Sequence, residues 1–219
     1  MTEQNSQAYT FWNSISAADF PYAITVGEVR TPLHDLESVY PLIFSYLQYR
    51  GLLGDDEHIV DVCGGASSHL YLGHWIDQTV VADFSQVLLM RSMAPQERQM
   101  AMDIGVDEFP NEMGNSATLV TMIFGTRYLS QDEKLHAYEQ VKNVLSPGGF
   151  FVLIDTVCTS AEFEKTLGQI MPFYPGDEAR ILEHVGFRVM GIEPLRDEYE
   201  SHLYDDISII VCTKSTDCI

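Results

Sequence analysis

Short apolar runs alternate with longer amphipathic segments along most of the chain, from about residue 58 to residue 213. Runs rich in Val, Ile and Leu are typical of strands covered on both faces, whereas apolar positions spaced by three or four residues predict helices. The runs predict strands at 58–62, 79–82, 99–102, 118–124, 150–154, 187–192 and 207–212. The spacing predicts helices at 41–50, 68–75, 85–93, 130–145 and 177–185. This alternation predicts an α/β fold with a doubly wound, mainly parallel sheet.

Start and stop signals support several of these elements. Ser130 and Glu133 have the spacing of a capping box, and the Pro-Gly-Gly sequence at 147–149 is expected to stop the helix that follows them. Gly186 ends the helix at 177–185 in the same way. No helical pattern separates the last two predicted strands, so we expect them to form an antiparallel pair. The predicted sheet therefore has seven strands, of which the last is antiparallel.

The segment 1–57 precedes the first predicted strand of the sheet. It is rich in Tyr, Phe and Trp, and it contains one predicted helix that Gly51 stops. This composition suits an N-terminal helical cap or lid over a domain formed by residues 58–219. We expect the two parts to make a single structural domain.

Composition narrows the classes of partner. A chain of 219 residues is long enough for one sizeable core, and its net charge of −20 argues against nucleic acids and anionic membranes as partners. The four cysteines lack the spacing of a disulfide framework, and no signal peptide is recognisable, which favours the cytoplasm. Neither CxxC nor HExxH occurs, so no metal site is expected.

Candidate chemistry concentrates in the turn after the first predicted strand of the sheet, within the sequence IVDVCGGASSHL at 59–70. Gly64 and Gly65 allow a ligand to approach the backbone where a β-carbon would collide. Asp61, Asp83 and Asp103 lie at or near the ends of three successive strands. In open parallel sheets, ligands bind outside these carboxyl ends.

The order of these motifs, continued by LSPGG at 145–149 and EHVGF at 183–187, resembles the class I S-adenosylmethionine-dependent methyltransferases of the small-molecule kind. The resemblance implies S-adenosylmethionine as cofactor, with Asp83 accepting hydrogen bonds from both ribose hydroxyls, Phe84 covering the adenine and Asp103 accepting from the adenine amino group. The cofactor-binding residues that it implies are Asp61, Cys63, Gly64, Gly65, Ser67, Asp83, Phe84, Asp103, Ile104, Phe124 and Gly125. An alternative is that Asp83 and Asp103 only cap the following helices.

The turn departs from the D-x-G-x-G-x-G pattern of that family. Cys63 and Ser67 stand at the first and third glycine positions, so Gly65 is the remaining pattern glycine. A β-carbon at Cys63 is acceptable if its φ stays negative. Ser67 is expected to donate its hydroxyl to the cofactor's carboxylate or to cap the next helix.

Methyl transfer from a sulfonium is an in-line displacement that positioning alone can accelerate, so a catalytic signature is not required. In the family's arrangement the sequence FGTRYLS at 124–130 faces the methyl group. Tyr128 is the candidate for orienting the acceptor or relaying a proton, Arg127 for holding a substrate carboxylate or phenolate, and His69 is the best histidine candidate. The alternatives are a packed Tyr, a solvated Arg and a neutral helix His. The candidate substrate-binding residues, which could equally be core, are Tyr9, Trp12, Tyr22, Met171, Phe173 and Tyr174.

The sequence therefore favours methyl transfer to a small-molecule oxygen, nitrogen or carbon acceptor, with specialised biosynthesis as the expected setting. Two alternatives stay open: an enzyme that uses the bound cofactor for a rearrangement or cyclisation, and a degenerate binding subunit without catalysis. A homodimer is also left open.

Overall fold

A computed structural model of the chain describes residues 23–26, 29–32, 34–55, 57–156, 173–195 and 207–214. These residues form a two-stranded hairpin and one seven-stranded sheet. The hairpin strands are β1 (Ala23–Val26) and β2 (Val29–Pro32). The sheet strands are β3 (Ile59–Val62), β4 (Val80–Asp83), β5 (Gln99–Ala101), β6 (Ala117–Ile123), β7 (Leu145–Thr156), β8 (Phe187–Pro194) and β9 (Ile207–Lys214). The α-helices are α1 (His34–Tyr49), α2 (Ser68–Leu72), α3 (Gln86–Leu89), α4 (Gln131–Val144) and α5 (Pro175–Val185).

The sheet has the strand order β5-β4-β3-β6-β7-β9-β8. Pairings along β5-β4-β3-β6-β7 are parallel, whereas β9 runs antiparallel between β7 and β8. The predicted seven-stranded sheet with an antiparallel last strand is therefore confirmed. The strand order reverses between β3 and β6, which is where ligands bind in open α/β sheets.

Each face of the sheet is covered by helices, and the period of two along the strands assigns side chains to each face. Leu119 and Ile123 of β6 pack in one buried cluster with Ile43 and Leu47 of α1. The alternate residues of β6 pack in a second buried cluster with Tyr138 of α4 and other core residues. Helix α1 is thus one of the layers that cover the sheet. This arrangement explains the near-continuous apolar runs of the central strands.

The predicted start signal of α4 and the predicted stop signal of α5 are both confirmed. The capping box is present, because the Ser130 hydroxyl accepts from the Glu133 amide and the Glu133 carboxylate accepts from the Ser130 amide at 2.7 Å. Gly186 ends α5 in the left-handed region, with a φ of 99°. Both signals are local, and each motif satisfies the backbone groups at a helix end.

Several predicted boundaries are wrong. Helix α1 begins at His34 and carries Pro41 inside it, whereas the sequence suggested that the proline opens the helix. Helix α3 ends at Leu89, and α2 ends at Leu72 before a 3-10 turn, Gly73–Gln78. The hairpin of β1 and β2 was not predicted.

Strand β7 differs from its prediction because it starts before the Pro-Gly-Gly sequence. Leu145 pairs with Ala117, and regular pairing resumes between Phe150 and Leu119. Residues 146–149 therefore form an irregularity within the strand, where the sequence predicted a separate turn. Within the ranges given above, no helix is long and apolar enough to cross a membrane.

Candidate functional site

The carboxyl ends of the parallel strands meet around Cys63, which directly follows β3. Burial raises the pKa of the Cys63 thiol well above its usual value, and the charges of Asp83, Asp61, Asp103 and Asp155 raise it further. These four residues lie at or near the carboxyl ends of four different strands. The fold thus brings Asp61, Asp83 and Asp103, which the sequence singled out, together with Asp155 on the side where strand order reverses.

The turn at 63–67 requires both of its glycines. A β-carbon on Gly64 would lie 1.9 Å from Oδ2 of Asp61 and 2.3 Å from Oγ of Ser68, which leaves no room for a side chain. Gly65 has a φ of +49°, and a β-carbon there would lie 3.2 Å from Oδ2 of Asp83. The turn therefore passes tightly over Asp61 and beside Asp83. Glycine is needed here for space and for backbone conformation.

Cys63 adopts a left-handed conformation with a φ of 61°, so the condition under which its β-carbon would be free of strain is not met. Phe124, which follows β6, has a φ of 58°. The two segments are in contact, since a β-carbon on Gly125 would lie 2.7 Å from Cβ of Cys63. Non-glycine residues in this region carry backbone strain, and such strain clusters at functional sites.

Asp61 is completely buried beneath the turn. The hydroxyl of Tyr71 donates to its Oδ2 at 2.6 Å, and the hydroxyl of Thr121 donates to its Oδ1 at 2.6 Å. Burial raises the pKa of Asp61 to about 6, while the hydrogen bonds from Thr121 and Tyr71 oppose the rise. Asp61 therefore ties β3, β6 and α2 together. A direct contact between Asp61 and a cofactor stays a prediction.

Asp83 presents one carboxylate oxygen to the turn. Its Oδ1 accepts from the Ser85 amide at 2.8 Å, and its Oδ2 lies on the side of Gly65. Burial raises the pKa of Asp83 to about 7, and the charges of Asp61 and Asp103 act in the same direction. The helix-capping alternative for Asp83 is wrong, because Ser85 is the N-cap of α3.

Asp103 follows β5 and is half-buried. Its Oδ1 accepts from the Gly105 amide at 3.0 Å, and burial raises its pKa. No helix of the described chain begins directly after it, so capping does not explain Asp103 either. The side chain of Ile104 is buried and that of Phe84 is partly exposed.

Ser67 holds the turn in shape. Its hydroxyl donates to the carbonyl oxygen of Gly64 at 2.9 Å. Ser67 is the N-cap residue of α2, but its side chain makes no capping hydrogen bond, so the predicted capping role is wrong. The other predicted role, donation to a cofactor carboxylate, stays a prediction.

Arg127 is buried, with 3% of its surface exposed, so the alternative of a solvated arginine is wrong. Its guanidinium forms an ion pair with Asp155 and donates to the Thr156 hydroxyl at 2.8 Å. The Thr126 hydroxyl also donates to Asp155, at 2.6 Å. Holding a substrate anion would require Arg127 to share its guanidinium with this network.

Tyr128 follows Arg127 in the 3-10 turn Thr126–Tyr128. Burial raises the pKa of Tyr128 well above its usual value, and its electrostatic neighbours include Arg127, Asp155, Tyr40 and Cys63. The phenol is therefore protonated at neutral pH and suited to donate a hydrogen bond. This property favours orientation of an acceptor over removal of its proton.

The remaining candidate site residues within the described chain are either packed in the interior or exposed at the surface. His69 is half-buried, and burial lowers its pKa, which agrees with a neutral helix histidine. Phe173 is 1% exposed within the core, which favours the alternative that it is a core residue, whereas Tyr174 is 55% exposed. Tyr9, Trp12, Tyr22 and Met171 lie outside the described residues.

Three further residues complete the site and were not predicted: Tyr40, Tyr71 and Thr121. Thr121 had a sequence signal, because it is a hydroxyl residue inside an apolar run, and its position in β6 pairs with Asp61. Tyr71 lies one helical turn after Ser68, on the buried side of α2. No local signal identified Tyr40, which reaches the site from α1.

Solved structures with this architecture are similar over most of the chain. A methyltransferase dependent on S-adenosylmethionine from Leishmania major is 12% identical with a TM-score of 0.68, covering 96% of this chain and 83% of that one. Magnesium protoporphyrin IX methyltransferase from Synechocystis with bound S-adenosylmethionine is 13% identical with a TM-score of 0.66, covering 98% and 99%. The cyclase SpnF is 13% identical with a TM-score of 0.61, covering 78% and 79%.

No protein-family model matches the chain, and no curated protein matches it by sequence. The chain therefore resembles these three structures in fold, while its sequence is only 12–13% identical to theirs. Strand order, the antiparallel last strand and the position of the turn agree with the resemblance inferred from the sequence. The chain has the class I fold of the S-adenosylmethionine-dependent methyltransferases.

Proposed function

We propose that the protein transfers a methyl group from S-adenosylmethionine to a small-molecule acceptor. The observation that carries this proposal is the tight turn at 63–67 beside the buried carboxylate of Asp83, at the point where strand order reverses. The backbone of such a turn admits a ligand closely, and the carboxylate offers an acceptor for two neighbouring hydroxyls.

The residues of the site fit this cofactor. The turn at 63–67 would hold the methionine part, and Oδ2 of Asp83, which faces the turn, would accept hydrogen bonds from the ribose. Phe84, Asp103 and Ile104 would hold the adenine, while Phe124 and Gly125 would border the reacting end. The acidic side chains of Asp61, Asp83 and Asp103 near Cys63 favour a positively charged ligand.

When bound, S-adenosylmethionine supplies an electrophilic methyl group on a sulfonium. The chain's own task is then to hold the acceptor in line with that group and to exclude water. Tyr128 donates a hydrogen bond to the acceptor through its protonated phenol. The pair of Arg127 and Asp155 fixes the loop after β6 that carries Tyr128.

Calorimetric titration with S-adenosylmethionine and S-adenosylhomocysteine tests the cofactor, and mass spectrometry of reactions with phenol, amine, carboxylate and enol acceptors tests the transfer. We expect binding of both ligands, and a mass increase of one methyl group on one acceptor class. A protein that binds neither ligand at millimolar concentration would contradict the proposal and favour the binding subunit.

Cyclisation with retention of the cofactor is a second candidate, favoured by the similarity in fold to the cyclase SpnF. In that case the fixed cofactor fills the site while the same cleft folds a polyunsaturated or otherwise reactive substrate. Measuring the cofactor during product formation separates the two functions. Stoichiometric conversion to S-adenosylhomocysteine supports transfer, and unchanged cofactor supports cyclisation.

A further inference from the structure

The loop that follows β5, residues 103–109, is held against one face of helix α4. The backbone amide of Phe109 donates to Oε1 of Gln140 at 3.1 Å. Nε2 of His136 donates to the carbonyl oxygen of Asp107 at 3.0 Å. Gln140 and His136 are four residues apart, so they lie on the same side of the helix. Side chains of α4 therefore hold both the middle and the end of the loop.

The same face of α4 supports the start of the loop. A β-carbon on Gly105 would lie 3.1 Å from Cβ of Glu133, which stands three residues before His136. Glu133 is itself fixed, because its carboxylate accepts from the Ser130 amide at 2.7 Å in the capping box. The loop and the helix therefore meet at three points that are about one helical turn apart.

Within the loop, four hydrogen bonds fix Asp103. Its Oδ1 accepts from the Gly105 amide at 3.0 Å, and its carbonyl oxygen accepts from the amides of Val106 at 3.0 Å and Asp107 at 2.7 Å. The carboxylate of Asp107 in turn accepts from the Asp103 amide at 2.8 Å. The direction of the Asp103 carboxylate therefore depends on the position of the whole loop, which α4 supports.

We propose that Gln140 and His136 are positioning residues for recognition of the adenine base, because they fix the loop that carries Asp103 and Ile104. The inference rests on the proposed function, in which this loop holds the adenine. The exocyclic amino group of adenine would donate to Asp103, and the Ile104 amide would donate to the adjacent ring nitrogen. Hypoxanthine reverses both groups, since it has an oxygen in place of the amino group and a hydrogen on that nitrogen. A correctly held loop therefore favours an adenosyl ligand over the inosyl one.

Two substitutions at one position separate the hydrogen bond from packing. Gln140→Met keeps most of the side-chain volume but removes the acceptor for the Phe109 amide, whereas Gln140→Glu keeps an acceptor oxygen. His136→Ala removes the other hydrogen bond at a partly exposed residue, so this variant should fold even if the buried position tolerates no change. Glu139→Gln, on the exposed side of α4, is the matched control.

Calorimetric titration of the full-length variants with S-adenosylhomocysteine and S-inosylhomocysteine measures the preference for adenine as the ratio of the two affinities. For the wild type we expect a preference of at least about tenfold. Gln140→Met and His136→Ala should each weaken S-adenosylhomocysteine about threefold to tenfold, the range for one lost hydrogen bond, and leave the inosyl ligand nearly unchanged. Gln140→Glu and Glu139→Gln should keep the wild-type preference.

The inference is overturned if the wild type binds both ligands equally, or if the preference stays at its wild-type value in both Gln140→Met and His136→Ala. A loss of preference in Gln140→Glu as large as that in Gln140→Met would assign the effect to packing. Equal weakening of both ligands also counts against the inference, because loss of folded protein lowers both affinities alike, and thermal denaturation identifies that case. If the wild-type protein binds neither ligand, the failure lies with the proposed function.

Discussion

The hydroxyl of Tyr71 donates a hydrogen bond of 2.6 Å to Oδ2 of Asp61, a carboxylate with no exposed surface. The other oxygen accepts from Thr121, so hydroxyl groups of α2 and β6 satisfy both oxygens of a buried acid. The bonds join the strand before the turn to the helix after it. The shape of the candidate cofactor turn thus depends on groups beneath it.

Removing one of the two hydroxyl donors to Asp61 should destabilise the folded protein. We expect Tyr71→Phe to lower the free energy of unfolding by about 1.5–3 kcal/mol at pH 8, the range for a hydrogen bond to a charged group. Urea denaturation measures the change, and Tyr174→Phe, at a 55% exposed residue, is the control.

The same substitution should act in a pH-dependent way. The folded-state pKa of Asp61, about 6, lies above the ordinary value of 3.8, so the folded state holds the proton more tightly. The contribution of this group to the free energy of unfolding therefore falls as pH rises from about 3.8 to about 6. Loss of the Tyr71 donor raises the pKa of Asp61 further, so the fall continues to higher pH and the total loss is larger. A penalty that is larger at pH 5 than at pH 8 would contradict this interpretation.

Gly65 should be sensitive to any β-carbon. Its φ of +49° disfavours side chains by about 1–2 kcal/mol, and an added β-carbon would also press on Leu88 at 3.1 Å and on Asp83. We expect Gly65→Ala to reduce affinity for S-adenosylmethionine at least tenfold. Gly51→Ala is the matched control, because Gly51 has a φ of +65° with nothing within 4 Å. Calorimetry that shows equal affinities in both variants would refute a cofactor role for the turn.

Cofactor affinity should rise with pH because of Asp83. Its pKa of about 7 means that the folded, ligand-free carboxyl is protonated below neutral pH. Accepting two ribose hydroxyls requires the ionised form, so binding releases a proton, and affinity falls about tenfold per pH unit below pH 7. Titrations in two buffers with different ionisation enthalpies measure the proton release. Asp83→Asn should bind more weakly and lose this pH dependence; a pH dependence retained in that variant would rule out Asp83 as its source.

The buried ion pair between Arg127 and Asp155 should contribute far more to stability than an ion pair on the surface. Arg127→Met leaves Asp155 charged and uncompensated in the interior, which is expected to cost about 3–5 kcal/mol of stability. Arg180→Met breaks an exposed pair with Asp177 and should cost less than about 1 kcal/mol. Denaturation curves of both variants test the difference. Similar losses would mean that the Arg127 pair does not hold the loop.

Replacing Cys63 with glycine should give a more stable protein than replacing it with alanine. In ordinary strands and helices glycine is less stable than alanine by about 0.5–1 kcal/mol, whereas at the φ of 61° found for Cys63 the order should reverse. We expect Cys63→Gly to exceed Cys63→Ala by about 1 kcal/mol in the free energy of unfolding. The usual order between the two variants would show that this backbone is not strained.

The sequence by itself determined the features that rest on neighbouring residues. Apolar runs predicted the parallel strands, the spacing of Ser130 and Glu133 predicted the capping box, and paired glycines located the turn. Each signal is local, because strand period, helix caps and glycine turns act within a few residues. The order of these signals was enough to predict the architecture.

Only the tertiary structure decided which side chains meet. Thr121 donates to Asp61 from 60 positions away, and Arg127 pairs with Asp155 from 28 positions away. Tyr40 packs against Tyr71 and Phe124 from a helix that the sequence predicted to be part of a cap. The tertiary structure also places Cys63, with its left-handed backbone, directly beside Gly125. Such contacts depend on the register and packing of distant elements, because no short stretch of sequence encodes the distance between two side chains that folding brings together.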